Sequence, residues 1–544
     1  MKILCFILVL SAGFFARSQR ESPKIIIGIV VDQMCYDYLY RFEKNYSESG
    51  FKKLMNEGSH LKNMHFNYIP TYTGPGHASI FTGTTPRKHG VIANNWLERS
   101  SNQNVNCVGD KGVIGIESSP LYGSSSPHRL NTATVTDQLK MTYPKSKVIS
   151  ISIKDRGAIL PGGRESDGSY WFDYGKGTFI TSSYYMSKLP KWLQDFNQNN
   201  NAASYASTWF PLLEKDAYSA NDDSPYEKIL AGKTTATFPY DIPSLCKTNS
   251  SLQPFTLSPF ANTLLTDLAI SAIEKENLGK DEYPDMLCIS YSSPDIAGHA
   301  FGPDSKEIED IYIRLDLELA RFLKSLESSF GKTGFVLFLT ADHGVVSVPQ
   351  KLVDDGEQGG YVFVDQIINR LRDSCESRFG VDFILGQTNL NIYLDHDLLK
   401  RKKDSVNIND VLALFEKELL NIEGIKQTAR GTELFKGLES NDHLLQMLRE
   451  GFDPKRSGDL LLILKSGYLP KSSLSLNPHQ GTSHGSGYDY DTHVPCLWYG
   501  SRIKNTEIHQ RLNITDIGPT LLDLIDLPKT ESMTGKSISA ILKP

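Results

Sequence analysis

The stretch Pro70-Thr-Tyr-Thr-Gly-Pro-Gly-His-Ala-Ser79 sets a threonine, Thr73, among glycines and prolines just ahead of His77–Thr82, a segment the pattern predicts as a helix. A hydroxyl in such a turn stands free, but threonine is a poor nucleophile until a base or metal ion removes its proton. The chain supplies candidates for that help. Asp32, the pair Asp295 and His299, the pair Asp342 and His343, and His484 in Gly481-Thr-Ser-His-Gly-Ser486 are carboxylates and imidazoles able to hold a metal. Mixed nitrogen and oxygen donors suit zinc better than magnesium or calcium, which favour all-oxygen shells. Two such ions about 4 Å apart can activate a nucleophile on one side of a reacting centre and hold the departing oxygen on the other.

Each residue also has an ordinary reading. Asp32 can cap a following helix. Asp295 and His299, spaced i,i+4, share one face of a helical turn and commonly form a surface pair. Asp342 and His343 would point to opposite faces of a strand, so they share an ion only in a turn past its end, which Gly344 permits. Together, three carboxylates and three imidazoles at one edge make a costly cluster of charge without a metal.

The elements that must position these residues are legible as apolar, β-branched runs. Lys24–Val31, Lys147–Lys154, Met286–Tyr291, Gly334–Thr340 and Val494–Tyr499 read as strands, with helical periodicity over Phe260–Asn277 and Lys306–Phe330 between them. That alternation predicts an α/β fold with a doubly wound, mostly parallel sheet. In such a sheet ligands bind beyond the carboxyl ends of the strands, where Asp32, Asp295, His299, Asp342 and His343 fall. Residues 165–255 and 346–480 fit the repeat poorly and read as insertions capping the active-site edge, the second with its own helix Val362–Phe379 and strands Leu390–Leu394 and Asp459–Leu464. Asn513–Ile525 reads as a capped amphipathic helix closing the core.

Residues 1–18 combine Lys2, a short apolar run and a small-residue ending, the pattern of a cleavable secretory signal peptide. The run is shorter than the roughly 20 residues of a spanning helix, so no membrane anchor is expected, and 19–544 form a single exported catalytic domain, periplasmic or secreted. Formal net charge is −6, and a cleaved leader removes Lys2 and Arg17 as well, so no nucleic-acid partner is implied. Cys35, Cys107, Cys246, Cys288, Cys375 and Cys496 form no CxxC pair; Cys35 and Cys288 read as buried thiols, and pairing among the others is left open.

Seven ordered motifs carry a resemblance through nearly the whole mature chain. These are Val31-Asp-Gln-Met34, Pro70–Gly83, His89–Asn94, Ser152-Ile-Lys-Asp-Arg-Gly157, Ser293–His299 with Thr340–Gly344, and His484–Pro495. The chain resembles the alkaline phosphatase superfamily, in its bacterial, exported, calcium-independent PafA-type branch, whose nucleophile is threonine. The resemblance implies two zinc ions per subunit, one held by Asp295, His299 and His484, the other by Asp32, Asp342, His343 and the Thr73 oxygen. His493 rivals His484, and the His-Gly arrangement favours His484. His77 and His89 are expected to support the nucleophile loop.

Alternation along Ile149, Ile151 and Ile153 puts Lys154 and Arg156 on the other face of their strand, aimed at its carboxyl end. A solvated strand end is the ordinary alternative. An Arg fork and a Lys point charge match the dianionic, three-oxygen end of a phosphate monoester, whereas a diester masks one oxygen. In the family the two positions look like the phosphate-contacting pair of the monoesterases, with Asn94, rather than its neighbour Asn95, as a third contact. The expected reaction is hydrolysis of small phosphate monoesters through a phospho-Thr73 intermediate, by a chain favoured as a monomer. A phosphodiesterase or nucleotide pyrophosphatase on the same metal core is the alternative, and an inactive binding protein a third reading.

Overall fold

The structure is a computed structural model that describes residues 23–543 apart from 438, 439, 476 and 478. The expected leader, residues 1–18, lies outside the described residues. Ten strands form the main sheet: β1 (Ile25–Val31), β2 (Ser59–Leu61), β3 (Gly115–Ile116), β4 (Val148–Ser152), β5 (Gly168–Asp173), β6 (Thr178–Ser182), β7 (Asp285–Tyr291), β8 (Phe335–Thr340), β9 (Cys496–Gly500) and β10 (Thr506–Ile508). Their spatial order is β10-β2-β9-β8-β1-β7-β4-β5-β6-β3. The central run β8-β1-β7-β4-β5 is parallel throughout. Antiparallel β9 and β6 flank it.

Burial explains why these segments read as unbroken apolar runs. Every residue of β1, β7 and β8 is buried, because helices cover both faces of the sheet. The helices that matter for the site are α1 (Thr73–Thr82), α2 (Asp155–Gly162), α3 (Pro259–Lys275), α4 (Ser293–Phe301), α5 (Lys306–Phe330) and α6 (Ile517–Leu524). At the start of α5, the Ser305 hydroxyl accepts the Ile308 N–H. Before α6, Asn513 and Asp516 form a capping box around one 3₁₀ turn, and α6 packs against α1.

Two expected features change. The helix expected from His77 begins at Thr73, four residues earlier. The Gly76 N–H donates to the Tyr72 carbonyl at 2.8 Å, and Pro75 falls in the first turn, where its missing N–H has no intrahelical partner to lose. Strand β4 ends at Ser152 with both faces buried, and Lys154 is the N-cap of α2. Lys154 and Arg156 therefore leave from a strand-to-helix turn and not from one face of a strand.

Of residues 165–255, β5 and β6 belong to the main sheet, because Tyr170, Phe172 and Phe179 join its core. Residues 346–480 hold a separate four-stranded sheet, ordered Ile384–Thr388, Asn391–Leu394, Leu460–Leu464, Ile425–Arg430. Helices Val364–Phe379 and Ile408–Leu419 back it around Leu371, Phe383 and Phe415. The six described cysteines are free thiols, with Cys35 and Cys288 buried. No helix among the described residues is long and apolar enough to cross a membrane.

Helix α1 meets the end of β8 at Gly76, where an added Cβ would lie 2.3 Å from the Asp342 carbonyl oxygen. Backbone on both sides leaves no room to yield. Gly76→Ala is expected to destabilise the protein by about 1–3 kcal/mol in urea unfolding, the usual cost of overpacking.

Candidate active site

Four neighbouring parallel strands, β8, β1, β7 and β4, deliver the expected residues to one edge. Asp32 follows β1 directly, and Asp342 and His343 follow β8. Asp295 and His299 sit one turn apart on α4, which starts right after β7. Lys154 and Arg156 lie at the turn after β4, and His484 enters from the connection ahead of β9.

The three histidines share one arrangement. His299 Nδ1 lies 2.9 Å from the Thr482 carbonyl, His343 Nδ1 3.0 Å from that of Gly344, and His484 Nδ1 2.7 Å from that of Thr71. Each ring thus donates Nδ1–H to backbone and keeps its Nε2 lone pair. These Nε2 atoms face carboxylates: Asp295 Oδ1 at 3.2 Å from His299 and 3.6 Å from His484, and Asp32 Oδ1 at 3.4 Å from His343. Burial pushes the pKa of His343 down and that of His484 well down, which keeps both rings neutral. A neutral imidazole oriented through its other nitrogen is the state in which histidine binds metal.

The fit to a metal rests on unpartnered atoms. Asp32 Oδ1, Asp342 Oδ2 and His343 Nε2 are buried and have no hydrogen-bond partner. Buried polar atoms are nearly always satisfied, so three orphans converging on one place mark a position that a cation completes. Ligand atoms of Asp295, His299 and His484 lie within 4.8 Å of one another, as do those of Asp32, Asp295 and His343. The first group is the expected one. In the second, Asp295 stands where Asp342 was expected, and Asp342 Oδ2 lies at the rim, 3.7 Å from His343 Nε2 and 3.3 Å from His77 Nδ1. The Lys154 ammonium draws Asp295 inward, bridging it to Asp32 Oδ2, which is 2.6 Å away. Burial, with the charges of Asp295 and Asp342, raises the Asp32 pKa well above the carboxylate range. Burial alone would lower that of Lys154, but Asp295 and Asp32 reverse the effect and keep it protonated.

Beside this cluster, Thr73 is the first residue of α1, at the positive end of the helix. His77 ties the helix to the carboxylates: its Nδ1 is 2.9 Å from the Thr73 carbonyl as well as facing Asp342. Asn94 Oδ1 accepts the Gly74 N–H at 2.7 Å, which commits the carbonyl end of the amide and leaves the NH₂ end to donate elsewhere. Asn95 is exposed and opens a separate strand. The Arg156 guanidinium is only loosely held, with Nη1 3.6 Å from Asp155 and a buried, unpartnered Nε.

The ordinary readings separate here. Asp32 caps no helix, because its carboxylate engages Lys154, while the turn Tyr38–Arg41 begins after Asp37. His493 stacks on Tyr36 and His65 and lies 2.9 Å from the Lys62 carbonyl, so His484 alone joins the cluster. His89 holds Ser79 and the Val91 N–H, and His77 reaches Ser290 Oγ at 2.9 Å.

Sequence reasoning missed Gln33. Held at φ 65°, it donates its backbone N–H to Asp342 Oδ1 at 3.2 Å and its side-chain amide to Asp295 Oδ1 at 2.6 Å. One residue thereby sets the aim of two carboxylates. Gly298 makes room for it, since a Cβ there would fall 1.8 Å from Gln33 Oε1. The available signals were its place beside Asp32 and the glycine one residue before His299. Asp491 was missed too; one oxygen accepts from the Gly485 and Ser486 N–H groups and the Ser486 hydroxyl, shaping the loop that carries His484.

Residues 26–489 match the family described as type I phosphodiesterase / nucleotide pyrophosphatase. The chain belongs to this family, within the alkaline phosphatase superfamily. Among its superfamily relatives is the alkaline phosphatase PafA of Elizabethkingia meningoseptica, 36% identical over 99% of this chain and 99% of that protein. A Myroides odoratus protein named calcium-transporting ATPase is 37% identical over 98% of this chain and 97% of its own. The crystal structure of wild-type PafA superposes with a TM-score of 0.90 at 36% identity, covering 96% of this chain and 99% of that one. The doubly wound, mostly parallel fold is thus the superfamily's own.

Two outcomes follow from this geometry. Gln33→Ala is expected to weaken metal retention about 10–100-fold in chelator competition, with the circular dichroism spectrum unchanged. Burial lowers the His89 pKa to about 3. The unfolded chain takes up this proton near pH 6.5 and the folded chain only near pH 3, so stability falls as pH drops through that window. His89→Gln should therefore show a shallower acid limb in its stability curve, by about 1.4 kcal/mol per pH unit.

Proposed function

We propose that this protein is an exported alkaline phosphatase that hydrolyses small phosphate monoesters through a phospho-Thr73 intermediate. The observation that carries the reading is the convergence of unpartnered Asp32, Asp342 and His343 atoms beside the Thr73 helix, with Lys154, Arg156 and Asn94 around it. The full-length similarity to an enzyme named alkaline phosphatase supports it.

Asp295, His299 and His484 would hold one zinc ion, and Asp32, Asp342, His343 and the Thr73 oxygen a second. Bound zinc supplies a lowered pKa for the Thr73 hydroxyl and neutralisation for the leaving alcohol. Everything else falls to the chain itself. The Thr73 oxygen attacks phosphorus in line as the ester oxygen departs, and the N-terminus of α1 favours the negative charge that gathers there. Arg156, Lys154 and the Asn94 amide donate to the non-bridging oxygens, whose charge is spread most widely in the transition state. Lys154 exchanges part of its contact with Asp32 and Asp295 for the phosphoryl group. Water then cleaves phospho-Thr73 and releases phosphate. The leader-like residues 1–18 support export.

The family description itself names diesterases, which makes substrate charge the discriminating measurement. An aryl phosphate is expected to show higher kcat/KM than its methyl diester, and the reverse order would replace this reading with a phosphodiesterase. Thr73→Ala should remove turnover, with protein-bound phosphate no longer trapped by acid quench. Lys154→Ala and Arg156→Ala should each lower monoester kcat/KM about 10²–10³-fold, with much smaller effects on the diester. Activity lost to a chelator should return with zinc and not with calcium.

A further inference from the structure

Behind the catalytic edge, two glutamates lie buried with little to satisfy them. Glu227 is 1% exposed, and neither of its carboxylate oxygens has a hydrogen-bond partner. Glu307, in the first turn of α5, is fully buried; Tyr240 donates to its Oε1 at 2.6 Å, and its Oε2 has no partner. The nearby Lys306 and Lys233 ammonium groups temper the charge of Glu307 from a distance but make no hydrogen bond or ion pair with either glutamate. Lys306 lies 4.8 Å over the Tyr218 ring, and Lys233 donates to the Pro239 carbonyl at 2.8 Å while sitting 4.4 Å over Tyr240. Glu227 also lines a cavity of about 190 Å³ with Asp223, Asp304 and Ser305, which leaves room for solvent beside its carboxylate.

We propose that Glu227 and Glu307 form a structural site for a hard divalent cation, calcium or magnesium, separate from the catalytic cluster. All donors are oxygen, the set these ions prefer and zinc does not, and the cavity supplies the waters that complete such a shell. Burial raises the pKa of both carboxyls, and the charge of Glu307 raises that of Glu227 further. The ion would clamp the 222–228 segment onto the start of α5. It would also steady α4, because the Lys228 N–H donates to the Ala300 carbonyl at 2.9 Å, one residue beyond His299.

The test uses the zinc-saturated enzyme in equilibrium dialysis against calcium chloride or magnesium chloride at pH 7.5, with metal analysis and thermal melting. One additional ion per chain is expected in at least one arm. The melting temperature should rise about 2–3 °C at a hundredfold excess over Kd. Glu227→Gln keeps the shape without the charge and should bind no additional ion and show no shift, while phosphatase activity persists. Were the pair held only by protons, that variant would match a wild type that binds nothing, and the proposal would fall. It falls equally if Glu227→Gln binds the ion as the wild type does. Glu307→Gln provides the same reading if the first variant does not fold, and the wild-type stoichiometry is a test independent of both.

Discussion

Repulsion among Asp32, Asp295 and Asp342 is the constraint around which this molecule is arranged. The three carboxylates are buried at the carboxyl ends of adjacent parallel strands, where low polarizability strengthens their mutual repulsion and water cannot relieve it. Every neighbouring group is a response to that charge. Lys154 bridges two of the acids, Gln33 donates to two, His77 leans on the third, and three imidazoles turn their Nε2 atoms inward. What the protein leaves unsatisfied, at Asp32 Oδ1, Asp342 Oδ2 and His343 Nε2, is the shape of a metal shell.

The fold's contribution is rigid placement. Parallel strands β8, β1, β7 and β4 are held in register by apolar residues buried on both faces, so their ends form a level edge. Helix α1 can lie against that edge only because position 76 lacks a side chain, and this contact brings the helix N-terminus, with Thr73 as its first residue, towards the acids. Asn94 is then oriented from the same turn through the Gly74 N–H. Thr73, Asn94 and the carboxylates are thus linked through His77 and the Gly74 N–H, an arrangement that would suit a reaction gaining most from positioning and fixed charge.

The family is named for diesterases while a full-length relative is named alkaline phosphatase, so the carboxylate and imidazole cluster by itself leaves the substrate class open. On the proposed reading, the distinction lies in the cations that leave the β4–α2 turn. Arg156 is held only by Asp155, and Lys154, though engaged with Asp32 and Asp295, has a flexible stem that would let it share its charge with an incoming dianion.

The sequence by itself determined the alternation of buried strands and helices, because residues enclosed on both faces must be apolar over their whole length. It also placed carboxylates and imidazoles at the strand ends, residue types able to hold a metal. The i,i+4 spacing of Asp295 and His299 was legible for the same local reason. The His-Gly arrangement favoured His484 over His493, and the fold supplies the physical reason by sending one ring to Asp295 and stacking the other on Tyr36. The roles of Gln33 and Gly298, the early start of α1 and the exit of Lys154 from a helix cap depend on contacts between segments far apart in the chain. Such contacts come from tertiary packing, which pairwise spacing along the chain does not encode.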